Sequence, residues 1–445
     1  MSEASPGLLR RAILSALAPQ DLQYLYFPAL AARATEADVL LVTGIRGSGK
    51  SQIARTLQRL HGAKLAFDPS APLEHWPRKD DLKQLLDQRY PPRLIWKTVL
   101  YRLAQLSLTP TSSEDVSVAW VAEHPRDVAN LLAYFDRFIR QQQRLAFLLF
   151  DHFEQMADAL PDRVALLRGA LELMLELRPL AAVRLKAFVQ PELLAEPYAT
   201  AFPGGAKLLA SQAWLHWEPH DLYALLYTHL GNASDGVAAA HFRQLTGGSW
   251  QELGGRFHPP AELVTSPPYQ RAILAILTAR PAGPVILWDD FTQLTQSLTD
   301  ALGRVSPQIF LHSVYMAAVS AEHRNKDEWP LLIANQLAGL GNAARLAAQW
   351  LREELPWAHQ AMKLLDGLDV PIAEEHVIQV WKRGGFVPPH AEAESRRPTE
   401  TDWHAMVEQL QQVGALELLA DGTIHVPQLY RLGFGLGRRG GYRQS

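Results

Sequence analysis

Residues 44–51 combine glycine, lysine and serine at the spacing G-x-x-x-x-G-K-S, which is typical of a loop that binds nucleotide phosphates. Glycines let the backbone wrap an anion, so that consecutive N–H groups and a helix N-terminus face it. In this pattern Lys50 contacts the β- and γ-phosphates, and the hydroxyl of Ser51 binds Mg²⁺. We therefore expect ATP and Mg²⁺ as cofactors. The residues of this phosphate loop are Gly44, Ile45, Arg46, Gly47, Ser48, Gly49, Lys50 and Ser51.

A phosphate loop also predicts an acidic residue at the end of a neighbouring strand, where its carboxylate helps to hold Mg²⁺. Residues 145–150 form a continuous apolar run that is followed by Asp151. We therefore predict that Asp151 is the second protein ligand of the metal, beside Ser51. Residues 183–189, a mostly apolar run interrupted by Arg184 and Lys186, predict another strand, which is followed by Gln190. In related ATPases a polar residue at this place senses the γ-phosphate, and Gln190 can do so by hydrogen bonding.

No arginine can be assigned as an arginine finger from its spacing in the sequence. We expect Arg168, Arg178 and Arg184 to be solvated helix or loop residues. Arg46 differs from them, because a phosphate loop binds its ligand with backbone groups. The side chain of Arg46 is then able to reach the γ-phosphate or a neighbouring molecule.

The elements around these residues alternate between strands and helices. Residues 38–43 are a short apolar run that predicts a buried strand before the phosphate loop, and residues 52–61 predict a helix after it. Helical patterns separate this strand from the apolar runs before Asp151 and Gln190. Such an alternation predicts an α/β fold with a mainly parallel sheet that is covered by helices on both faces.

The second half of the chain is dominated by helical patterns and ends differently. Three helical stretches lie near the carboxyl end, at residues 358–365, 373–382 and 402–413. Two apolar runs follow, and the Asp421-Gly422 pair between them is a strong hairpin signal. Three helices closed by one hairpin is the order of a winged helix.

These patterns divide the chain into five segments. They are a helical lead-in (1–35), a P-loop NTPase core (36–200), a helical lid region (201–345), a winged-helix domain (346–430) and a basic Gly/Arg tail (431–445). The predicted fold is therefore an α/β P-loop NTPase core with a parallel sheet, followed by a helical lid and a C-terminal winged-helix domain.

The composition excludes several classes of protein. The chain of 445 residues has no cysteine, which excludes disulfides, thiolate metal sites and cysteine nucleophiles. Its net charge of -3 gives no overall attraction to nucleic acid or to an anionic membrane. A signal-peptide pattern and a run of about eighteen apolar residues are both missing. We therefore expect a soluble, cytoplasmic protein that does not contact membranes.

The segment from Asp151 to Gln155 (Asp-His-Phe-Glu-Gln) resembles the Asp-Gly-x-Asp-Glu element of STAND proteins, the signal-transduction P-loop ATPases that include NACHT proteins. The resemblance implies that Asp151 holds Mg²⁺ and that Glu154 is the second catalytic acid. Many such ATPases have a glutamate directly after the Mg²⁺ aspartate, where this sequence has His152, which we expect to be a loop residue. Gln155 stands where the class often has a third acid, and this favours slow turnover.

Residues 303–323 resemble the lid element of STAND and origin-recognition-type AAA+ proteins, in which Pro-Arg-x-Phe opens a helix near the nucleotide. The arginine position is occupied by Gln308, so a sensor arginine is missing from its expected place. Residues 421–441 resemble the ends of bacterial P-loop ATPases with a terminal winged helix, several of them from defence gene clusters. The resemblance implies an ATP-dependent switch that is coupled to assembly or partner release, with a role in bacterial antiviral defence.

A winged helix suggests DNA as a partner, but the residues of this segment favour a protein. No lysine or arginine occurs between Thr399 and Pro427, and such residues supply most of the affinity for duplex DNA by neutralising phosphates. The basic tail offers a contact to nucleic acid, to an acidic partner or to the protein's own nucleotide site. The acidic residues of this stretch are Glu400, Asp402, Glu408, Glu417 and Asp421, and the arginines of the tail are Arg431, Arg438, Arg439 and Arg443.

Three functions fit these observations. The first is an ATPase switch of low turnover, whose nucleotide state controls self-assembly or the engagement of a protein effector. The second is a DNA-handling ATPase of the loader, origin-recognition or transposition-helper kind, which requires strongly salt-dependent DNA binding. The third is a non-catalytic scaffold in which the nucleotide is a structural ligand, and it is favoured by Gln155, Gln190 and Gln308.

Overall fold

The chain divides into two compact units. The computed structural model describes residues 4–18, 23–61, 65–67, 77–109, 116–247, 249–278, 293–324, 329–393 and 396–438. We call Pro28–His216 the sheet unit, and Met1–Phe27 together with Trp217–Ser445 the helical unit. Helices and strands are numbered along the chain. The first helix, α1 (Pro6–Ala16), belongs to the helical unit.

Five strands of the sheet unit form one sheet. They are β1 (Leu41–Thr43), β2 (Leu65–Phe67), β3 (Ala146–Phe150), β4 (Val183–Val189) and β5 (Ala213–Trp214). All neighbouring strands pair in parallel, in the order β2-β3-β4-β1-β5. The helices of this unit are α2 (Ala29–Ala32), α3 (Lys50–His61), α4 (Lys79–Asp87), α5 (Pro92–Leu108), α6 (Val118–Glu123), α7 (Pro125–Gln141), α8 (Leu160–Glu176), α9 (Pro191–Ala195), α10 (Pro197–Thr200) and α11 (Gly205–Ala210), with 3-10 turns at Arg33–Thr35 and Phe153–Gln155.

The predicted parallel sheet in an α/β fold is confirmed. Val42 of β1 and Phe147 and Phe150 of β3 are fully buried, as expected for strands that are covered on both faces. The register pairs Thr43 with Val189, and Phe150 with Ala187, so β4 lies between β1 and β3. In a parallel sheet the carboxyl ends of all strands lie at one edge, which is where ligands bind in open α/β sheets. The phosphate loop, Asp151 and Gln190 therefore share this edge.

A buried lysine connects β4 to the segment that precedes β1. The side chain of Lys186 is fully buried, and its ammonium donates to the carbonyl oxygens of Ala34 and Glu36, at 2.7 Å each. Burial lowers the pKa of Lys186 to about 8, against the attraction of Asp38 and Glu36. Two carbonyl acceptors keep this amine hydrogen-bonded inside the fold and hold the chain in place just before the strand that carries the phosphate loop.

The helical unit contains α1 and the elements that follow the sheet unit. Its helices are α12 (Pro219–Gly231), α13 (Gly236–Thr246), α14 (Ala261–Thr265), α15 (Pro267–Thr278), α16 (Gln293–Ser297), α17 (Pro307–Arg324), α18 (Ile333–Glu354), α19 (Pro356–Lys363), α20 (Glu374–Arg383), α21 (Pro389–Ala393), α22 (Glu400–Gln412) and α23 (Gln428–Gly433). Its strands are β6 (Gln251–Leu253), β7 (Arg256–His258), β8 (Asp369–Val370), β9 (Ile372–Ala373), β10 (Glu417–Leu418), β11 (Thr423–His425) and β12 (Gly437–Arg438).

One hydrophobic core of the helical unit contains residues of α1, α12, α13, α17 and the middle of α18. Leu9, Ala12 and Ile13 of α1 are fully buried in it. Because this apolar face packs on later helices, the segment predicted as one lead-in (1–35) is divided, and only residues 28–35 belong to the sheet unit. The finer boundaries, between lid, winged helix and tail, stay predictions.

A second core of the helical unit lies near the carboxyl end, around Trp381, Trp403 and Ile424. The three helices predicted there are present as α19, α20 and α22, with ends that differ by one or two residues from the predicted ones. The predicted hairpin is present as the antiparallel pair β10 and β11, and Gly422 in its turn has a φ of 77°. Strand β9 adds a third antiparallel strand beside β11. The assignment of these elements as a winged helix stays a prediction.

Membrane-spanning helices are not found in the described part of the chain, since none of its helices is both long and apolar enough.

Candidate nucleotide-binding site

The phosphate loop connects the end of β1 to the start of α3. Gly47 and Gly49 have φ values of 74° and 99°, a left-handed backbone that glycine adopts without a steric penalty. The backbone N–H of Ser48 donates to the carbonyl of Ile45 at 3.1 Å and closes a turn. The loop therefore curls back on itself directly before the N-terminus of a helix, which is the geometry that presents backbone N–H groups to an anion.

Gly44 lies at the closest point of this curl. A Cβ atom at this position would overlap the Oγ of Ser48 and would lie 3.0 Å from the Cβ of Leu215. Ser48 itself is fully buried. The first glycine of the motif is therefore required by the packing of the loop against itself and against the residue that follows β5.

The side chain of Lys50 turns back over the loop. Its ammonium donates to the carbonyl oxygens of Gly44 and Ile45, at 2.7 and 3.0 Å. These contacts place a positive charge beside the curled backbone, at the first residue of α3. The sequence predicts this cation to contact the β- and γ-phosphates, and its position in the loop fits that role.

Two predicted metal ligands that are a hundred residues apart in the sequence meet beside the loop. The Nε2 of His152 lies 3.3 Å from the Oγ of Ser51 and 3.4 Å from the Oδ2 of Asp151. Asp151 follows β3 directly and is 7% exposed. A buried carboxylate beside a hydroxyl at the mouth of a phosphate loop is a donor set that suits Mg²⁺, which takes one or two protein ligands together with phosphate oxygens.

His152 combines an unusual backbone conformation with hydrogen bonds to its neighbours. It has left-handed backbone angles, with φ 59° and ψ 42°, which are uncommon for a residue with a side chain. Its backbone N–H donates to Asp151 at 3.0 Å, and its Nδ1 lies 3.3 Å from the Oε1 of Glu154. The sequence predicted a loop residue at 152, and the structure places its imidazole between the candidate metal ligands and Glu154. The only sequence signal for this was an ionisable side chain next to the predicted Mg²⁺ aspartate.

The two carboxyl groups of the site differ in their electrostatics. Burial raises the pKa of Asp151, and this is opposed by His152, by a hydrogen bond with Ser51 and by the charge of Lys50. Burial also acts to raise the pKa of Glu154, but its hydrogen bonds, with His152 first, and the charges of His152 and Lys50 lower it overall. Asp151 is thus a carboxylate that gains from a further positive charge, as a divalent cation would supply.

Gln190 lies next to the loop in the neighbouring strand. The backbone N–H of Gly44 donates to the carbonyl of Val189 at 3.2 Å, so the residue after β4 is adjacent to the first residue of the loop. Gln190 is the N-cap residue of α9 and is half-buried. The prediction that it senses the γ-phosphate stays a prediction, and its place at the sheet edge is compatible with it.

Three of the four arginines considered as arginine fingers lie outside the phosphate loop. Arg184 is the second residue of β4 and lies at the opposite edge of the sheet from the phosphate loop. The guanidinium of Arg168 is bonded to Glu172 at 2.9 Å and lies 4.1 Å from the centre of the Tyr198 ring. Arg178 is exposed just after α8. Arg46, by contrast, is half-buried within the loop itself.

The remaining predicted residues lie in the helical unit and are described within it. Gln308 is exposed in the first turn of α17. In the acidic stretch between Thr399 and Pro427, Asp402 accepts two hydrogen bonds from Arg396, at 2.6 and 2.9 Å. Glu400 accepts one from Lys382 at 2.6 Å. Basic residues outside the stretch therefore neutralise part of it, and sequence reasoning missed this. Of the predicted tail, residues 439–445 lie outside the described residues.

No group of three or more histidine, aspartate or glutamate side chains that could hold a metal ion occurs in the described ranges. Beside the phosphate loop, the candidate donors are the hydroxyl of Ser51 and the carboxylate of Asp151.

The sequence matches no protein-family model and no curated protein. Solved structures with a similar chain include Cdc6p from Pyrobaculum aerophilum, at 12% identity over 94% of this chain and 95% of that chain, with a TM-score of 0.35. The ORC2 protein of Aeropyrum pernix, solved as ADPNP-ADP complexes, has 12% identity over 95% of each chain and a TM-score of 0.43. The Walker-type ATPase paby2304 of Pyrococcus abyssi has 12% identity over 91% of this chain and 94% of that chain, with a TM-score of 0.34.

Proposed function

We propose that this protein binds ATP with Mg²⁺ and acts as a slow ATPase switch, whose nucleotide state controls assembly with itself or with a protein effector. One observation carries the proposal: Ser51 and Asp151 both lie within 3.4 Å of the same atom, the Nε2 of His152, beside a curled phosphate loop. The loop with its lysine and the acidic strand end come from two separate parts of the sequence, and a nucleotide–metal complex is the ligand that uses both of them.

In this proposal each group of the loop has one task. The backbone N–H groups of residues 44–51 cradle the phosphates, and Lys50 moves from the loop carbonyls to phosphate oxygens. Ser51 and Asp151 hold Mg²⁺, which when bound neutralises developing charge on the transferred phosphoryl group. Gln190 donates a hydrogen bond to the γ-phosphate from the end of β4.

Slow turnover is supported by the partners of Glu154. Its carboxylate lies 3.3 Å from the Nδ1 of His152, so the candidate base is engaged with an imidazole. A base that aligns an attacking water must have an oxygen within hydrogen-bond reach of that water. Glu154 has to leave His152, or share its oxygens, before it can do so. The neighbouring Gln155 is exposed and supplies no second carboxylate.

A protein partner is supported by the charges of the helical unit. The stretch between Thr399 and Pro427 has no lysine or arginine, and the ion pairs of Arg396 and Lys382 neutralise only two of its acidic residues. Duplex DNA needs several phosphate contacts from lysine or arginine. We therefore assign the predicted winged helix to protein binding, and the predicted lid to coupling between nucleotide and partner. A place in bacterial antiviral defence stays a prediction of the resemblance.

Single-turnover hydrolysis of ATP, combined with mass measurement in each nucleotide state, tests this function. We expect the wild type to hydrolyse ATP slowly, Glu154→Gln to bind ATP but to lose at least about tenfold in rate, and the mass to differ between ATP- and ADP-bound protein. ATP binding without any hydrolysis, and with one mass in both states, would favour the structural scaffold. DNA binding that weakens steeply with salt would favour the DNA-handling ATPase instead.

A further inference from the structure

The imidazole of His152 lies beside both candidate metal ligands. Its Nε2 lies within 3.4 Å of both candidate metal ligands, the Oγ of Ser51 and the Oδ2 of Asp151. Donor atoms that share an octahedral ion at about 2.1 Å lie about 3 Å apart when they are neighbours in its shell. The separations of 3.3 and 3.4 Å from Nε2 are close to that spacing, so the nitrogen fits beside each of the two oxygens in the shell of one ion.

One of the two neutral tautomers of His152 presents a lone pair to this point. In the tautomer with the proton on Nδ1, this nitrogen donates to the Oε1 of Glu154, 3.3 Å away, and Nε2 is left as the acceptor that faces Ser51 and Asp151. A histidine that binds a metal through one nitrogen usually donates its other N–H to a carboxylate, which sets its tautomer and orientation. The left-handed backbone of His152 holds the ring between these partners.

We infer that the Nε2 of His152 is a third protein ligand of the divalent cation, with Glu154 as its positioning residue. The inference rests on the proposed function, because it concerns the metal of the same site. Its consequence is metal selectivity. Mg²⁺ prefers oxygen donors, whereas an imidazole ligand favours Co²⁺, Ni²⁺ or Zn²⁺. The site therefore binds Co²⁺ more tightly, relative to Mg²⁺, than a phosphate loop with oxygen ligands alone.

Metal titrations in the presence of a saturating non-hydrolysable ATP analogue test this selectivity. His152→Ala is expected to lower the affinity for Co²⁺ by about 10- to 100-fold and the affinity for Mg²⁺ by less than about threefold. His124→Ala is the matched control, since this histidine of the same unit stacks on Trp120 at 4.4 Å instead. Equal losses for both metals in His152→Ala would overturn the inference, because they would show a structural role only.

Pulsed EPR with Mn²⁺ and the same analogue gives a readout that does not depend on activity. The wild type is expected to show the nitrogen coupling of an imidazole, and His152→Ala to lack it. A wild-type signal without nitrogen would mean that the ion displaces His152, and this would also overturn the inference. If the wild type binds no nucleotide at all, the proposed function fails, and this result is distinct from a missing nitrogen coupling in a nucleotide complex.

Variants at Glu154 separate the positioning role from the charge of the carboxylate. Glu154→Ala removes the acceptor of Nδ1 and is expected to lower Co²⁺ affinity about tenfold. Glu154→Gln keeps a carbonyl oxygen at the same place and is expected to retain most of that affinity, although it slows hydrolysis. Co²⁺ affinity that is unchanged in Glu154→Ala would contradict the positioning role.

Discussion

The ammonium of Lys50 is bonded to two carbonyl oxygens of its own loop, at 2.7 and 3.0 Å. A phosphate oxygen carries a negative charge that a carbonyl oxygen lacks, so a phosphate competes well against these carbonyl oxygens for the ammonium. The lysine therefore stays hydrogen-bonded before and after a ligand arrives. Because its ammonium is already positioned in the loop, we expect Lys50 to contribute strongly to nucleotide affinity in the proposed function.

The candidate site shows what residue types and spacing can predict. The motif predicted the curled loop before α3, and the apolar run before Asp151 predicted the carboxylate that lies beside it. The role of His152 could not be predicted, because it depends on a left-handed backbone and on a contact with Ser51, 101 residues away. The neutralisation of Asp402 by Arg396 was missed for the same reason, since it depends on the path of the chain between them.

The buried His229 of α12 is expected to make the stability of the fold depend on pH. It is 3% exposed and its Nε2 has no hydrogen-bond partner. Burial, followed by the charge of Arg256, lowers its pKa from 6.5 to about 4. The fold thus favours the neutral imidazole. The contribution of the neutral imidazole to the free energy of unfolding is therefore fully present above pH 6.5. It is lost as the pH falls from 6.5 towards 4, by at most about 3 kcal/mol.

Urea unfolding at pH 7, 5.5 and 4.5 measures this effect. We expect the urea midpoint of the wild type to fall more steeply with decreasing pH than that of His229→Leu. The pKa values of His241, His312 and His359 are also lowered, by burial first, and these residues titrate in both proteins. The difference between the two proteins therefore isolates His229. Identical pH dependence of the two midpoints would rule out this role.

At the scale of elements, the sequence predicts strands better than it predicts their neighbours. Apolar runs identified β1, β3 and β4, and the alternation with helices identified a parallel sheet. The two-residue strand β5 has too short a pattern to be recognised. The packing of α1 on helices more than 200 residues later was also not predictable, because an amphipathic helix shows an apolar face but not its partner.

The contact between α17 and α18 depends on one glycine. A Cβ atom at Gly339 would overlap the carbonyl oxygen of Ser313 and would lie 3.2 Å from Ala317. Gly341, on the same helix, has no atom within 4 Å of its Cβ position. Gly339 therefore permits the close approach of the two helices, whereas Gly341 leaves its helix only more flexible.

A pair of alanine variants in α18 tests this contact by thermal unfolding. Gly339→Ala is expected to lower the free energy of unfolding by about 1–3 kcal/mol, because overpacking pushes the helices apart. Gly341→Ala is expected to raise the free energy of unfolding by about 0.5–1 kcal/mol, because alanine is the better helix former. Melting temperatures that shift in the same direction for both variants would contradict the assignment.

For the whole molecule, the proposed switch requires that nucleotide stabilises one arrangement of the protein over another. A ligand shifts such an equilibrium only by its difference in affinity for the two states, so slow hydrolysis suffices if ATP and ADP differ in that respect. The net charge of -3 supplies no general attraction to nucleic acid. Specific protein surfaces are therefore the expected readout of the nucleotide state.

Calorimetric titration with Mg²⁺ and a non-hydrolysable ATP analogue tests the central claim most directly. We predict one binding site per chain in the wild type and an affinity about 10- to 100-fold lower in Lys50→Ala, because a charge-assisted hydrogen bond to phosphate is lost. Lys79→Ala, which removes an exposed lysine paired with Asp158 in the same unit, is the matched control and is expected to bind as the wild type does. Equal affinity in the wild type and in Lys50→Ala would contradict the account.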